Sequence, residues 1–460
     1  MTSTEATLLS DLHSIVGDRG LLTGTDVTLR SCDPFRAVPP EGPAIVRPAS
    51  TGELSQIMAL CHARGQRVVV HGGRTGVAGG AYAGPAEIVI SLERMARIVE
   101  IDPVGLTATV EAGATVEAVQ NAAMEQGLLY PIDLGAKGSA TIGGTIATNA
   151  GGNRVIRWGM TRQNVLGLEA VLSDGTIVSA MNRYLKNNTG YDVKQLFIGS
   201  EGTLGVVSRA VLKLVAQPRT QLVAFLSLSS FQAVLDLLVR ARRLQQLSAF
   251  EVMWQDYYAM VAGHDATRRP VDPSQPFYVL LELMGFDEAA DQAAFNSLLE
   301  EAFDAGLIVD AVAATSLKQV GELWRVREGS EILVREMAPF ISFDISVDIR
   351  RADAFAQAVR QALTTTFGEV KIVTFGHLGD SNLHIGAHIG SDTLARAHEI
   401  EATVYAVVRQ FDGALTAEHG IGQMKRDFLP DHVDAGALTL MRRVRDALDG
   451  TRIINHDVLF

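Results

Sequence analysis

Glycine placement constrains this chain more than any other feature. Glycines crowd residues 72–205 and thin out afterwards, and they fall in clusters. The first, VVVHGGRTGVAGGA (68–81), directly follows a β-branched run that reads as a strand. The second, PIDLGAKGSATIGGTIATNAGGNRVIRWG, spans 131–159, and the third is GSEGTLGVV at 199–207. Without a Cβ, backbone can approach closely and aim several N–H groups into one cavity, where they bind an anion such as a pyrophosphate. A single such loop also makes a plain tight turn, but three clusters in one half of a chain favour a ligand. Two familiar phosphate motifs are excluded. No G-x-G-x-x-G lies between a strand and a helix, and no G-x-x-x-x-G-K-[ST] occurs.

The 460 residues exceed one usual core, so two or three domains are expected, with a boundary near 217, where the texture changes at Pro218. Amphipathic periodicity predicts helices over 6–16, 230–247, 287–306, 351–366 and 433–449. Another helix follows Ser50 or Thr51 as N-cap, with Glu53 in its first turn. EIVISL, ATVEAG and FYVLLELMG read as strands. GLEAVLSDGTIVSA reads as a hairpin turning at Asp174-Gly175. A net charge of −12 argues against nucleic acid or anionic lipid as the main partner. Two cysteines, Cys32 and Cys61, are too few for a disulfide framework or a cysteine zinc site and suit a reducing compartment. Neither a signal peptide nor a run long enough to span a bilayer is visible, so the expected location is cytoplasmic, with docking on a membrane partner left open.

The other concentration of chemistry is VTFGHLGDSNLHIGAHI, 373–389. Five of the eleven histidines, His377, His384, His388, His398 and His419, fall within 377–419. His377 and His384 are seven apart, which on one straight strand puts them on opposite faces. The intervening Gly379-Asp380-Ser381-Asn382 breaks the strand and lets both rings converge. TAEHGIG (416–422) adds Glu418 and His419 beside flexible glycines. Two histidines and a carboxylate form a common set around a catalytic divalent metal with an open position. Any one of these histidines alone reads as a packed core or turn residue, and His388 and His398 are read that way.

The order HGGRTG, then PIDLG…GGTIATNAGG, then LKNNTGYDVKQLFIGSEGTLG resembles the PCMH-type FAD-binding domain of the vanillyl-alcohol-oxidase superfamily. More narrowly, nearly the whole chain is similar to the FAD-linked D-2-hydroxyacid dehydrogenases. These include D-lactate and D-2-hydroxyglutarate dehydrogenases and the glycolate oxidase flavoprotein subunit. The resemblance implies an α+β fold: an FAD-binding domain over 1–217, an α+β substrate- and metal-binding cap domain over 218–430, and a helical C-terminal segment, 431–460, returning to the FAD domain. It assigns the FAD pyrophosphate to Gly72, Gly73, Arg74, Thr75 and Gly76. The ribityl chain and flavin ring fall to Pro131, Asp133, Gly135, Ser139, Gly143, Gly144, Asn149, Gly151 and Gly152. Gly202, Val206 and the tail residue Asn455 complete the cofactor set. Some relatives link FAD covalently to a histidine that follows the two loop glycines. Arg74 stands there, so FAD is expected to be non-covalent and His71 structural.

Metal-dependent members carry G-H-x-G-D-[x]-N-x-H and E-H-G-x-G, matched by Gly376–His384 and Glu418–Gly422. The resemblance thus implies His377, His384 and Glu418 as ligands of a divalent metal, zinc before manganese or iron, and His419 as the base near the flavin. Ser381 replaces the glycine usual after Asp380, a small change. The implied reaction removes the hydroxyl proton of a D-2-hydroxy acid and passes its C2 hydride to flavin N5, giving the 2-oxo acid. The substrate carboxylate needs a cation, and LWRVREGSEILVRE (323–336) offers Arg325 and Arg327, of which the resemblance favours Arg327. The 2-hydroxyglutarate enzymes have a threonine, a lysine and an asparagine where Glu331, Ser342 and Gly386 stand here. Losing that cation and gaining an acid disfavours a second substrate carboxylate. A lactate-like or longer monocarboxylic substrate is therefore expected, with D-2-hydroxyglutarate or D-malate as the alternative. The tail IINHDVLF keeps Asn455 and loses the usual Pro-Gly-Lys turn. An electron-transfer flavoprotein, a quinone or a cytochrome would take the electrons, and a homodimer is the base expectation. Two rival readings stay open: a metallohydrolase built on His377, His384 and Glu418, and a non-catalytic FAD module.

Overall fold

The computed structural model describes residues 3–35, 37–264 and 267–460. The chain divides into two compact units. One comprises 1–152, 159–217 and 418–460, and the other 153–158 with 218–417. Each is α+β.

Among its described residues the first unit holds two larger sheets and a two-stranded one. In one, β1 (Leu21–Thr23), β2 (Ala44–Val46), β3 (Val68–His71) and β4 (Ile88–Ser91) lie in the order β1-β2-β4-β3, with β2, β4 and β3 parallel. The helix Thr51–Arg64 links β2 to β3. It starts at Ser50, whose side chain accepts from the Glu53 N–H, and stops at Gly65, in a left-handed conformation. It buries Leu54, Ile57, Met58 and Cys61, one turn apart on one stripe. The second sheet is antiparallel. β5 (Ile98–Asp102), β6 (Thr107–Glu111), β8 (Val165–Val171), β9 (Ile177–Ala180) and β10 (Val206–Lys213) lie in the order β5-β6-β10-β8-β9. The β8–β9 hairpin turns at Asp174-Gly175, as its sequence predicts. β7 (Leu128–Leu129) pairs with β11 (Val215–Ala216). A large apolar core, from Leu8 to Ile454, lies beneath, and Val27, Ile45, Val69, Ala83 and Val89 form a smaller second cluster.

The second unit is built on a seven-stranded antiparallel sheet. Its strands are β12 (Thr220–Leu228), β13 (Leu247–Trp254), β14 (Phe277–Gly285), β15 (Asp310–Ala313), β16 (Ile341–Ser346), β17 (Lys371–His377) and β18 (Asn382–His388), in the order β15-β12-β14-β13-β17-β18-β16. β13 and β14 are buried along their whole length, which is why they read as near-continuous apolar runs without alternation. The helix predicted over 230–247 ends at Ala241, because Leu247 already begins β13 and its side chain is needed in the core. One face of β16 and β18 carries Phe343, Ile345, Leu383 and Ile385, all buried. Tyr405, from the helix Ala397–Gln410, packs edge-on against Phe343 at 5.6 Å. Helices cover that face; the opposite face carries a second apolar cluster, which includes Met253, Trp324, Met337 and Val373.

Candidate active site

Strand pairing defines that other face. His384 lies opposite Phe375 on β17 and opposite Asp344 on β16, while His377 lies opposite Asn382. Directly paired residues point to the same side of a sheet. Met253 on β13 pairs with Phe375, which places Glu251, two residues earlier, on this face too. The strand break that the sequence predicts between the two histidines is a single 3-10 turn, Leu378–Asp380. It brings the rings to a centroid separation of 5.3 Å at 83°. Ser381 closes the turn at φ 77°, left-handed backbone that glycine adopts freely and serine holds at about 1 kcal/mol. At Gly376 a Cβ would lie 2.3 Å from the Asn382 carbonyl oxygen, so the two strands meet here only through glycine.

A buried acid organises the cluster. Both oxygens of Glu251 accept from His377 Nδ1, at 2.9 and 2.8 Å. The same carboxylate accepts from Arg327 Nε at 2.7 Å. Arg327 projects from the helix Leu317–Arg327, and its Nη2 stands 3.4 Å from each ring nitrogen of His377. Burial pushes the Glu251 carboxyl upward, yet the charges of His377 and Arg327 and their hydrogen bonds outweigh it and hold it below the ordinary value. Arg325, the other candidate, is exposed. Around His384, Asp344 Oδ1 lies 3.9 Å from Nδ1 and accepts from Asn382 Nδ2 at 2.6 Å. Asp344 Oδ2 also accepts from the Thr416 hydroxyl and the Ala417 N–H, at 2.9 and 3.1 Å, just before Glu418. Asn382 Oδ1 is buried with no hydrogen-bond partner. His388 Nδ1 donates to the Pro339 carbonyl at 2.7 Å.

The segment 153–158 belongs to this unit. Arg154 pairs with the buried Glu282 at 3.0 Å, and the Arg157 guanidinium donates to the carbonyls of Gln246 and Met284. Ile156 packs so closely on the histidine turn that a Cβ at Gly379 would lie 2.6 Å from it.

In the first unit the glycine clusters meet backbone to backbone. A Cβ on Gly73 would stand 2.0 Å from the Ser139 carbonyl, and one on Gly72 would stand 2.6 Å from the Thr141 hydroxyl. A Cβ on Gly152 would stand as close to the Asp133 carbonyl, 2.0 Å, and one on Gly143 would stand 2.8 Å from the Ala112 side chain. Between them runs the helix Ile142–Thr148, capped by the Thr141 hydroxyl, which accepts from the Gly144 N–H, and ended by a left-handed Asn149. The sequence reading treats this stretch as cofactor loop, and its helix went unforeseen because its glycine pair masks the periodicity. Arg74 is also left-handed, at φ 56°. Asp133 accepts from Lys137 at 3.0 Å, Pro131 and Gly151 are buried, and Val206 opens β10. Thr75 is half-buried, and a Cβ added at Gly76 or Gly135 would meet no atom within 4 Å. Asn455 is central: its Oδ1 accepts from the Val70 N–H at 2.9 Å and its Nδ2 donates to the Glu201 carbonyl at 2.8 Å. Gly202 lies directly against it. Glu418 Oε1 accepts from the Gly152 N–H at 2.5 Å. His71 is buried, with Nε2 donating to the Ala81 carbonyl at 2.8 Å, and burial pushes its pKa down to about 4.

Glu251, Asp344 and Asn382 were not singled out from sequence. A signal for the first existed: a lone acid in the apolar run LSAFEVMW. Nothing local marks Asp344, which gains meaning only through its register with His384.

These two units are the halves of a flavin oxidoreductase. A family described as FAD linked oxidases, C-terminal domain, matches residues 217–458, and an FAD binding domain family matches 42–181. The chain belongs to the FAD-linked oxidase family and is an FAD-dependent oxidoreductase. Among similar proteins is a D-2-hydroxyglutarate dehydrogenase of Xanthomonas citri pv. viticola, 39% identical over 91% of this chain and 89% of that protein. One of Stutzerimonas stutzeri is 32% identical over 99% of each. A mitochondrial D-2-hydroxyglutarate dehydrogenase of Bos taurus is 36% identical over 97% and 82%. Among solved structures, p-cresol methylhydroxylase superposes with a TM-score of 0.78 at 14% identity, covering 99% of this chain and 96% of that one. Alkyldihydroxyacetonephosphate synthase follows at 0.76 and 16%, covering 99% and 85%. Both establish the fold alone. No helix among the described residues is long and apolar enough to cross a membrane.

Proposed function

We propose that this protein is an FAD- and divalent-metal-dependent dehydrogenase that oxidises a D-2-hydroxy acid to the 2-oxo acid. The observation that carries the reading is the Glu251–Arg327–His377 cluster beside His384: one buried acid orients both a guanidinium suited to a carboxylate and an imidazole suited to a metal. The names of the relatives support the substrate class.

When bound, FAD accepts the C2 hydride and a divalent ion, zinc before manganese or iron, acidifies the substrate hydroxyl. His377, His384 and Glu418 would hold that ion. The donor chemistry fits: Glu251 accepts from His377 Nδ1–H and leaves Nε2 as the donor atom, an arrangement common around ligating histidines. Arg327, its Nε committed to Glu251, presents its outer N–H groups to the substrate carboxylate. His419 takes the hydroxyl proton. The glycine segments fit FAD because backbone lies on backbone where any Cβ would collide.

For the rest of the substrate we propose a lactate-like or longer monocarboxylic side chain. Ser342 and Gly386 face each other across β16 and β18, two residues along from the Asp344–His384 pair. A Cβ at Gly386 would meet Val373, Met337 and Phe340 at 3.0–3.5 Å, an apolar wall. Glu331 is exposed. The relatives' names favour the second reading, D-2-hydroxyglutarate or D-malate. Comparing kcat/KM for D-lactate, a larger apolar D-2-hydroxy acid and D-2-hydroxyglutarate decides: monocarboxylates should lead, and a wide lead for the diacid would overturn the preference. Chelation should abolish turnover and leave FAD bound; unchanged turnover in metal-free enzyme would overturn the metal assignment. A metallohydrolase does not account for the FAD-binding domain. We further propose non-covalent FAD, re-oxidation by a flavoprotein, quinone or cytochrome, a homodimer, and a cytoplasmic setting consistent with the free, buried Cys32 and Cys61.

A further inference from the structure

We infer that Glu201 is a positioning residue, whose carboxylate fastens the loop bearing Glu418 and His419 to the FAD-binding segments. The inference rests on the role proposed above for that loop. Glu201 lies in GSEGTLG, and its side chain is given no part in the reaction above. Its two oxygens accept from two consecutive backbone groups, Oε1 from the Ile421 N–H at 2.8 Å and Oε2 from the Gly422 N–H at 2.7 Å. Carboxylates bonded to peptide N–H groups in this way make charge-assisted hydrogen bonds, roughly twice as strong as neutral ones.

The backbone of Glu201 is itself fixed. Its N–H donates to the Ala147 carbonyl at 2.8 Å, at the end of the helix Ile142–Thr148. Its carbonyl accepts from Asn455 Nδ2 at 2.8 Å, and Asn455 reaches on to Val70, just before the first glycine loop. Glu201 holds this place in a left-handed conformation, φ 52°, where a side chain is disfavoured. The loop answers with two glycines. Gly420, φ 77°, is so near that a Cβ would stand 2.9–3.1 Å from the Glu201 carboxylate. Gly422, φ 56°, sits where a Cβ would lie 1.9 Å from the Ala78 carbonyl. With Glu418 on the Gly152 N–H, the loop is pinned to all three glycine clusters, and Glu201 supplies the only side chain among those contacts that grips two of its peptide groups.

A glutamine has one carbonyl oxygen and can satisfy only one of the two N–H groups; its NH2 faces the other. Hydrogen exchange on the FAD-loaded enzyme tests this. In the wild type, the Ile421 and Gly422 amides should exchange as slowly as amides of β10; exchange at the rate of an unprotected loop overturns the inference without any variant. In Glu201→Gln, exchange at these two amides should rise at least about tenfold while β10 stays protected. FAD affinity should stay within about threefold, and kcat should fall at least about tenfold with KM nearly unchanged. Unchanged exchange at 421–422, or a variant that loosens everywhere and loses FAD, would overturn it. Exchange is read without substrate, so its failure is distinct from a failure of the proposed reaction, which shows as a wild-type enzyme that no 2-hydroxy acid reduces.

Discussion

Replacing Glu251 with glutamine probes the centre of the candidate site. The carboxylate and its partner Arg327 expose only 1% and 5% of their side chains, so neither charge is solvated by water. Removing one partner of such a pair leaves the other buried and uncompensated, which costs about 3–5 kcal/mol. For a unit of this size, about 2–4 °C of melting temperature accompany each kcal/mol, so its transition should fall by about 6–20 °C. Calorimetry of the FAD-loaded variant reads this directly. The same argument predicts a rescue: Glu251→Met combined with Arg327→Met removes both charges and should regain most of the lost stability, though not activity. The pH dependence has a definite sign. Because Glu251 titrates below its ordinary value in the fold, its contribution is complete above the ordinary carboxylate range and disappears as pH falls through the lowered value. A Glu251→Gln protein melting within about 2 °C of wild type, or a double variant no better than the single, would refute the reasoning.

His71 carries a second pH effect. Its folded value near 4 lies below the 6.5 of an unperturbed imidazole, so the unfolded chain binds the extra proton between those values. Stability should be complete above pH 6.5 and decline by about 3 kcal/mol as pH falls through 4. The melting gap between wild type and His71→Asn should therefore shrink on acidification, and a constant gap contradicts this. Gly73→Ala should lose bound FAD at least tenfold in affinity, because the added Cβ meets the Ser139 carbonyl at 2.0 Å. Gly321→Ala, in the helix Leu317–Arg327 and with nothing within 4 Å, is the control that should keep its flavin absorbance.

Much of the fold was legible because local signals agreed with tertiary demand. The Ser50 cap, the Asp174-Gly175 hairpin and the β14 run each formed as their residues dictate. The convergence of His377 and His384 followed from the strand break between them, a 3-10 turn over Leu378–Asp380, although Asn382 already belongs to β18. The helix Ile142–Thr148 was hidden because Gly143 and Gly144 are present for close packing, at odds with helix propensity. Glu251 and Asp344 were hidden for another reason. Their partners lie on distant strands, and register across a sheet is not encoded at either residue alone. Ser381 shows the limit of substitution by size: serine is small, but the position selects for positive φ.

The most direct test is an anaerobic titration of the purified, FAD-loaded protein with a D-2-hydroxy acid, followed through its visible spectrum. The account predicts a yellow protein that bleaches on addition of the acid, stays yellow when metal has been removed by chelation, and bleaches very slowly as His419→Ala. A yellow protein that no 2-hydroxy acid bleaches, with metal present, would contradict it.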